Sequence, residues 1–386
     1  MKSPILLISF LFITSLFTNA QNTSCVNDVK LNPNFSKAAA VKAVLQRYTT
    51  NALPGAAVAV YSESEGWWAH ASGYAKVENR TPMQLCHLQY LQSVAKTYMA
   101  VTILQLQEQG KIKFDEFITR YLPAKYAQYV PNANRITVRM LLNQTSGVPE
   151  YNVHPKLVSH ILEYPLKPFS LEFALQNIEN EPPLFEPGAQ HKYTNTNYLL
   201  LALIADAITG DHAAFMQKNI FNPLELHHTF YRNDKNYLKY DMLVNSYWDV
   251  AQISNPANVT QMQRVNVASM IGDDGIVCTP TDAVKFLKGL MEGKLLKPES
   301  MQQMLTWVNN SAGNPTYGMG IYHFQLGDLV AYGHGGGGLG AGCLLVYLPQ
   351  HKMYVFIATN VGVVVDNPLA KKADEMKNEV LMALLM

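Results

Sequence analysis

The apolar positions of this chain switch between a helical and an alternating period four times along its length. KAAAVKAVLQRYTT (37 to 50) spaces them three and four apart like a surface helix, whereas PGAAVAVYSE (54 to 63) and GWWAHASGYAKV (66 to 77) read as two strands joined by a short turn. A helix lying on a hairpin is the implied start. From Ser93 the period is helical again, with Val94, Tyr98, Val101 and Leu104 along an amphipathic run and Gly110 as its stop.

Between about 111 and 270 helical periods prevail (ITVRMLLNQTSG, SLEFALQNIEN, TNYLLLALIADAITG), broken at Pro182-Pro183 and Pro187-Gly188. TPTDAVKFLKGLMEG (279 to 293) reads as a capped helix. The end of the chain then alternates in YGMGIYHFQ, LVAYGHGGG, GCLLVYLP and KMYVFIATN, and closes on a helix from about Leu369. This predicts an α+β fold: one antiparallel sheet built from both chain ends, flanked by helices, with an inserted, mainly helical lobe. The expected sheet lobe spans about 31 to 92 and 275 to 386, and the helical lobe about 111 to 270. Helix 93 to 110 runs between them, and the cleft is the default site.

Composition narrows the function without naming it. With 48% hydrophobic residues, 15% charged and a formal net charge of +1, the chain is an ordinary globular protein, and nucleic acid is not an expected partner. The opening MKSPILLISFLFITSLFTNA places Lys2 before an apolar stretch from Ile5 to Phe17 and a small-residue exit at Thr18-Asn19-Ala20. That is the layout of a signal peptide covering 1 to 20, followed by one catalytic domain from 21 to 386 and a periplasmic or secreted location. The stretch is shorter than the ~18 to 20 residues that span a bilayer, so no stable membrane span is expected after cleavage. Cys25, Cys86, Cys278 and Cys343 have neither a disulfide framework nor zinc spacing; buried free thiols with room for one bridge are expected, and no metal or cofactor.

Candidate chemistry begins in LQSVAKTYMAV. A serine needs a neighbour to take its proton, and Lys96, three residues after Ser93, shares its helix face. The free N–H groups of a first helical turn favour developing negative charge there. Alone, this tetrad is no more frequent than chance, and an N-cap serine beside a solvated lysine is an equal reading. It is the chain's only Ser-x-x-Lys.

Two further elements follow in order: Tyr193-Thr194-Asn195 within FEPGAQHKYTNTNYLLLALIADAITG, and His334-Gly335-Gly336 within YGHGGGGLGAGCLLVYLP. A second Tyr-x-Asn, Tyr231-Arg232-Asn233, lacks the preceding Pro-Gly turn and the following helix. With these elements the chain resembles the serine β-lactamases and penicillin-binding proteins. LLNQTSGVPEY, LQEQGKIKFDEFITRYLP, DDGIVCTPTDAVKFL and YGMGIY look like the connecting signatures of the branch that groups class C β-lactamases, D-alanyl-D-alanine carboxypeptidases and related esterases. The resemblance covers roughly residues 40 to 365.

The resemblance implies a β-lactamase/transpeptidase-like fold and a role for each position. Ser93 is the expected nucleophile and Lys96 its proton acceptor. Tyr193 is expected as general base or acid, with a phenol pKa that cationic neighbours pull well below ~10. Asn195 would orient Lys96 and the substrate amide, and His334, Gly335 and Gly336 would line the cleft from an edge strand. The backbone N–H groups of Ser93 and Gly337 would form the oxyanion hole, a pair in which one donor is worth about 3 to 4 kcal/mol of barrier. The glycine run 335 to 338 would let the strand approach the substrate closely.

Two departures bear on substrate. Where β-lactam-hydrolysing members usually carry lysine and threonine, this chain has His334 and Gly335, a weaker grip on a carboxylate. Gln144 replaces a frequent histidine and reads as structural. The expectation is therefore an exported serine hydrolase acting through an acyl-enzyme on D-alanyl peptides, esters or related amides, with a small molecule or cell-wall peptide as substrate. The alternatives are a class C-type β-lactamase and a non-catalytic peptidoglycan- or β-lactam-binding protein.

Other residues read as structural. His191 and Lys192 are expected at the surface and Asp273-Asp274 in a turn. His227-His228 has no apparent ligand partners, and Trp67, Trp68 and Tyr317 are expected in core or cleft wall.

Overall fold

A computed structural model describes residues 28 to 232 and 234 to 386; the segment read as a signal peptide, Cys25 and Asn233 lie outside the described residues. The front of the chain supplies strands β1 (Gly55–Ser62), β2 (Gly66–Lys76) and β3 (Thr81–Pro82). Its end supplies β4 (Val308–Asn309), β5 (Pro315–Tyr317), β6 (Tyr322–Leu326), β7 (Leu329–Gly337), β8 (Gly342–Leu348) and β9 (Met353–Thr359). All nine pair in one sheet in the order β3-β2-β1-β9-β8-β7-β6-β5-β4. The two ends of the chain meet at β1 and β9, antiparallel, with Ala56 opposite Thr359 and Ser62 opposite Met353.

Both faces of the central strands are covered, which is why GAAVAVYS and MYVFIAT read as near-continuous apolar runs. The helices that frame the sheet and the site are α1 (Ala38–Asn51), α2 (Ala95–Glu108), α3 (Asn195–Thr209), α4 (Pro280–Met291) and α5 (Pro368–Leu385). On one face Val58, Val60, Val355 and Ile357 join Val41 and Leu45 of α1 and Val380 of α5 in a single core. On the other, Ala59, Phe356 and Ala358 join Tyr98 and Met99 of α2 and Phe286 of α4. Thr279 caps α4 by accepting from the Asp282 backbone N–H, as TPTD implies.

Three expectations change. Every residue of α2 from Ala95 to Leu106 is buried, so this helix is a central core element and not an amphipathic one. It starts at Ala95, with Ser93 in a preceding 3-10 turn, Gln92–Val94. Between α2 and α4 the helical segments are mostly short, such as Val138–Leu142 and Leu171–Gln176, and two small sheets join them. One pairs Gln89–Tyr90 and Thr229–Phe230 with Val277–Cys278; the other pairs Tyr247–Trp248 with Ala257–Asn258. Two-residue strands are too brief to show an alternating period.

Trp68 is core, stacked on Phe35, and Trp67 packs on Tyr61; both lie away from the cleft. Cys278 and Cys343 are free and buried, and Cys86 is disulfide-bonded.

β7 is not an edge strand as a whole. Tyr332 and Gly333 are paired on both sides and Leu329 to Ala331 with β6 alone, and Gly333 opposite Tyr322 is the last pair with β6. His334 to Gly337 pair only with β8, leaving that stretch open toward the cleft. The glycines there differ. A Cβ on Gly336 would lie 2.4 Å from the Leu91 carbonyl oxygen, and one on Gly338 2.4 Å from the Gln92 side chain, whereas one on Gly335 would meet nothing nearer than 3.9 Å. The close approach is therefore to the turn that carries Ser93.

Gly336→Ala is accordingly expected to cost about 1 to 3 kcal/mol by overpacking. Gly335→Ala should stay within about 0.5 kcal/mol of the parent. Denaturant unfolding of the two variants side by side measures the difference, and equal stabilities would refute the close-packing account.

Candidate active site

Gln89–Tyr90 leads the chain to Gln92, whose φ of +50° is left-handed, and this bend turns Ser93 into the cleft ahead of α2. Lys96, wholly buried, reaches back along α2. Its Nζ donates to Ser93 Oγ at 3.0 Å, to Asn195 Oδ1 at 2.7 Å and to the Asp273 backbone carbonyl at 2.9 Å. Sequence reading placed Ser93, Lys96 and Asn195 at one site, and the structure brings them together. It did not find the third acceptor, which is main chain and leaves no residue signature.

Asn195 is held from behind. The Glu150 carboxylate accepts from the Asn195 backbone N–H at 2.7 Å and from Nδ2 at 3.1 Å, so the side-chain oxygen is left facing Lys96. Glu150 lies in LLNQTSGVPEY, quoted as a connecting signature but not as a site residue. Gln144, in the same segment, accepts through Oε1 from the Thr194 N–H and from Asn197 Nδ2, and Ser146 Oγ donates to Asn197 Oδ1. The reading of Gln144 as structural thus acquires a mechanism: its loop clamps Tyr193-Thr194-Asn195 at the start of α3.

Tyr193 corrects an expectation. Lys96 Nζ lies 5.0 Å from the centre of its ring. Its pKa is nevertheless raised well above the ordinary phenol value, by burial first and by Tyr322 next; a loose approach of Ser93 lowers it too little to compensate. The phenol oxygen has no hydrogen bond of ordinary geometry. Burial also lowers the Lys96 pKa, against the pull of Asp273, Asp274 and Glu150. At neutral pH the tyrosine therefore carries its proton, while the shift of Lys96 is toward the neutral amine.

His334 is buried, with Nδ1 donating to the Gly335 carbonyl at 2.6 Å and Nε2 accepting from the Tyr317 hydroxyl at 3.2 Å. Burial, helped by Lys96, lowers its pKa to about 3, so it is neutral at any working pH. Tyr317 is fully buried and lies behind the cleft in contact with the third element; its ring and that of Tyr322 lie edge-on to His334 and frame Tyr193. Two cavities meet here, of about 560 and 430 Å³, and Ser93, Tyr193 and Gly337 line both.

The remaining candidates sort cleanly. Asp273 and Asp274 do form a turn, yet a buried one: Tyr151 donates to Asp273 Oδ2 at 2.7 Å and the Tyr237 hydroxyl to the Gly275 carbonyl at 2.8 Å. Burial raises their pKa values to about 7 and about 6. Tyr231 supports this turn from outside the cleft, its oxygen accepting from the Gly272 N–H at 3.1 Å. Lys192 is exposed, whereas His191 is half-buried against Tyr317. His228, expected without partners, lies with Asp28 and Asp282, with Lys285 3.7 Å and 3.3 Å from the two carboxylates. Residues so distant in sequence give no local sign of that cluster.

An activated serine at the mouth of a core helix, a tyrosine at a second helix start and an open stretch of sheet strand define the serine β-lactamase and penicillin-binding-protein fold class. A Beta-lactamase family model matches residues 40 to 375, and the chain belongs to that family. It is 27% identical over 308 residues to penicillin-binding protein 4* of Bacillus subtilis, covering 75% of this chain and 64% of that one. It is 23% identical over 279 residues to teichoic acid D-alanine hydrolase of Staphylococcus aureus, covering 72% and 64%. The chain therefore spans less than two thirds of these curated relatives. Among solved structures, D-amino acid amidase of Ochrobactrum anthropi SV3 superposes with a TM-score of 0.79 at 23% identity over 91% of this chain and 99% of its own. The penicillin binding protein of Bacillus halodurans gives 0.71 at 21% over 88% and 98%. At these identities the structural matches establish the fold alone.

The buried turn carries a pH signature. Because folding raises the Asp273 pKa from about 4 to about 7, its contribution to stability is complete below pH 4 and is lost as pH rises through 7. Asp273→Asn should abolish this slope, so that the melting temperatures of variant and parent diverge in the variant's favour between pH 5 and 8. Parallel melting curves across that window would count against a buried, protonatable Asp273.

Proposed function

We propose that this protein is an exported serine hydrolase that acts through an acyl-enzyme on D-alanyl peptides, esters or related amides. One observation carries the reading: the geometry around Lys96 Nζ. Asn195 Oδ1 and the Asp273 carbonyl can only accept, so they take two N–H groups. In the neutral amine the lone pair is then left for Ser93 Oγ. Lys96 takes the Ser93 proton, Oγ attacks the substrate carbonyl carbon, and the N–H groups of Ser93 and Gly337 hold the oxyanion. Collapse breaks the acyl C–N or C–O bond. The leaving group takes the Tyr193 proton, and Lys96 restores it to the phenolate. Water then attacks the ester by the same route in reverse and frees Ser93.

The names of the relatives, one a D-alanine hydrolase and one a D-amino acid amidase, support a D-alanyl or related amide substrate. A neutral His334 and a side-chain-free Gly335 favour esters and peptides over β-lactams, because neither supplies a fixed cation or a hydroxyl for a ring carboxylate. Export rests on the sequence of residues 1 to 20.

Intact-mass analysis with a fluorophosphonate should show one adduct, absent in Ser93→Ala. Lys96→Ala should lower kcat/KM by about 10² to 10⁴, the usual loss for a positioned base. On a panel of p-nitrophenyl esters, a D-Ala-D-Ala peptide and nitrocefin, nitrocefin should be the poorest; if it is the fastest, the protein is a β-lactamase. A non-catalytic binding protein would show neither adduct nor turnover.

His334 supplies a second check. Since its pKa lies near 3, it does not titrate in the working range. His334→Asn should lower kcat/KM while the acid limb of its pH profile keeps its midpoint between pH 5 and 9. A shifted midpoint would mean that His334 changes charge during turnover.

A further inference from the structure

Both cavities at Ser93 are lined largely by apolar side chains, and they differ in where charge and exposed apolar surface lie. The larger reaches the charged and polar side chains Asp374, Lys377 and Asn378 of α5. The smaller, about 430 Å³, has Gln92, Asn152, Asn195 and Asn266 among its polar lining and the buried Asp274 as its one carboxylate. Its outer wall is apolar. Fifteen large apolar side chains stand exposed among the described residues, and five of them, Val153, Val158, Leu162, Val364 and Val365, line this one cavity. Clustered exposure of that kind marks a binding surface, whereas scattered exposure does not.

The helix Pro155–Glu163 shows how the wall is built. Leu157 is fully buried and anchors the helix to the core, while Val158, Ile161 and Leu162, three and four positions apart, share the face that lines the cavity. Trp248 and Met270 complete the wall from other segments. The volume lies within the range of small-molecule sites, which are mostly apolar with a few polar groups fixing orientation.

We propose that this cavity holds the acyl half of the substrate and that the acyl group is apolar, an aliphatic chain or an aromatic acid; the inference rests on the hydrolase reading above. Once the leaving group has departed, water must reach the Ser93 ester. The larger cavity, although Phe324, Leu326 and Leu344 also line it, carries the ionisable pair Asp374 and Lys377 at its rim and so suits incoming water and a polar leaving group. The apolar cavity is left for the group that stays on the serine. A carbonyl at the polar end places the tail along Val158, Ile161 and Leu162.

The test is a series of p-nitrophenyl esters with one leaving group and a growing acyl chain: acetate, butyrate, hexanoate and octanoate. Each methylene buried should raise kcat/KM about three- to fourfold until the cavity is filled. Leu162→Asp and Val364→Asp, both at exposed positions that the fold tolerates, should flatten the series. If an aspartate variant fails to fold, Leu162→Asn and Val364→Asn take its place in the same series. Equal kcat/KM for acetate and octanoate, or a slope that survives in both variants, overturns the apolar acyl site while leaving the hydrolase intact. If no ester of any length acylates Ser93, the hydrolase reading fails instead.

Discussion

A lysine ammonium with no exposed surface is the constraint around which this molecule is arranged. Burying a charge costs several kcal/mol unless partners replace the lost water. Here each replacement comes from a different part of the chain: Ser93 from the turn before α2, Asn195 from the start of α3, and the Asp273 carbonyl from a buried turn. None of the three is charged. Burial therefore outweighs the nearby carboxylates and shifts the lysine toward the neutral amine, the form a proton acceptor needs.

Holding three acceptors on one nitrogen demands rigid loops. Glu150 and Gln144 tie the 144–150 segment to the first residues of α3, Tyr151 and Tyr237 tie the 273–275 turn, and Gln92 adopts a left-handed φ to aim Ser93. Gly336 and Gly338 bring β7 against that same turn, and so set the distance between serine and strand. The sheet itself contributes shape more than chemistry. Its strand β7 runs past the end of β6, and the four residues left unpaired on that side are the ones that face the cleft.

The cleft is largely uncharged where it meets the substrate. Tyr193 keeps its proton, His334 has lost its own, and the aromatic rings of Tyr317 and Tyr322 enclose both. Apolar side chains line both cavities; Asp374 and Lys377 of α5 stand at the rim of the larger, and exposed apolar side chains gather at the smaller.

The sequence by itself determined the elements and the cast of the site. The sheet from both chain ends, the capped helix after Thr279 and the trio Ser93, Lys96 and Tyr193 were legible, because period and motif are local properties of the chain. Distance along the chain hid the rest. Glu150 and the Asp273 carbonyl, remote in sequence from Lys96, carry no motif, and the small two-residue strands are too short for a period. Tertiary structure alone decided the electrostatics. Cationic neighbours were expected to lower the Tyr193 pKa, but burial, which no window of sequence reports, raises it.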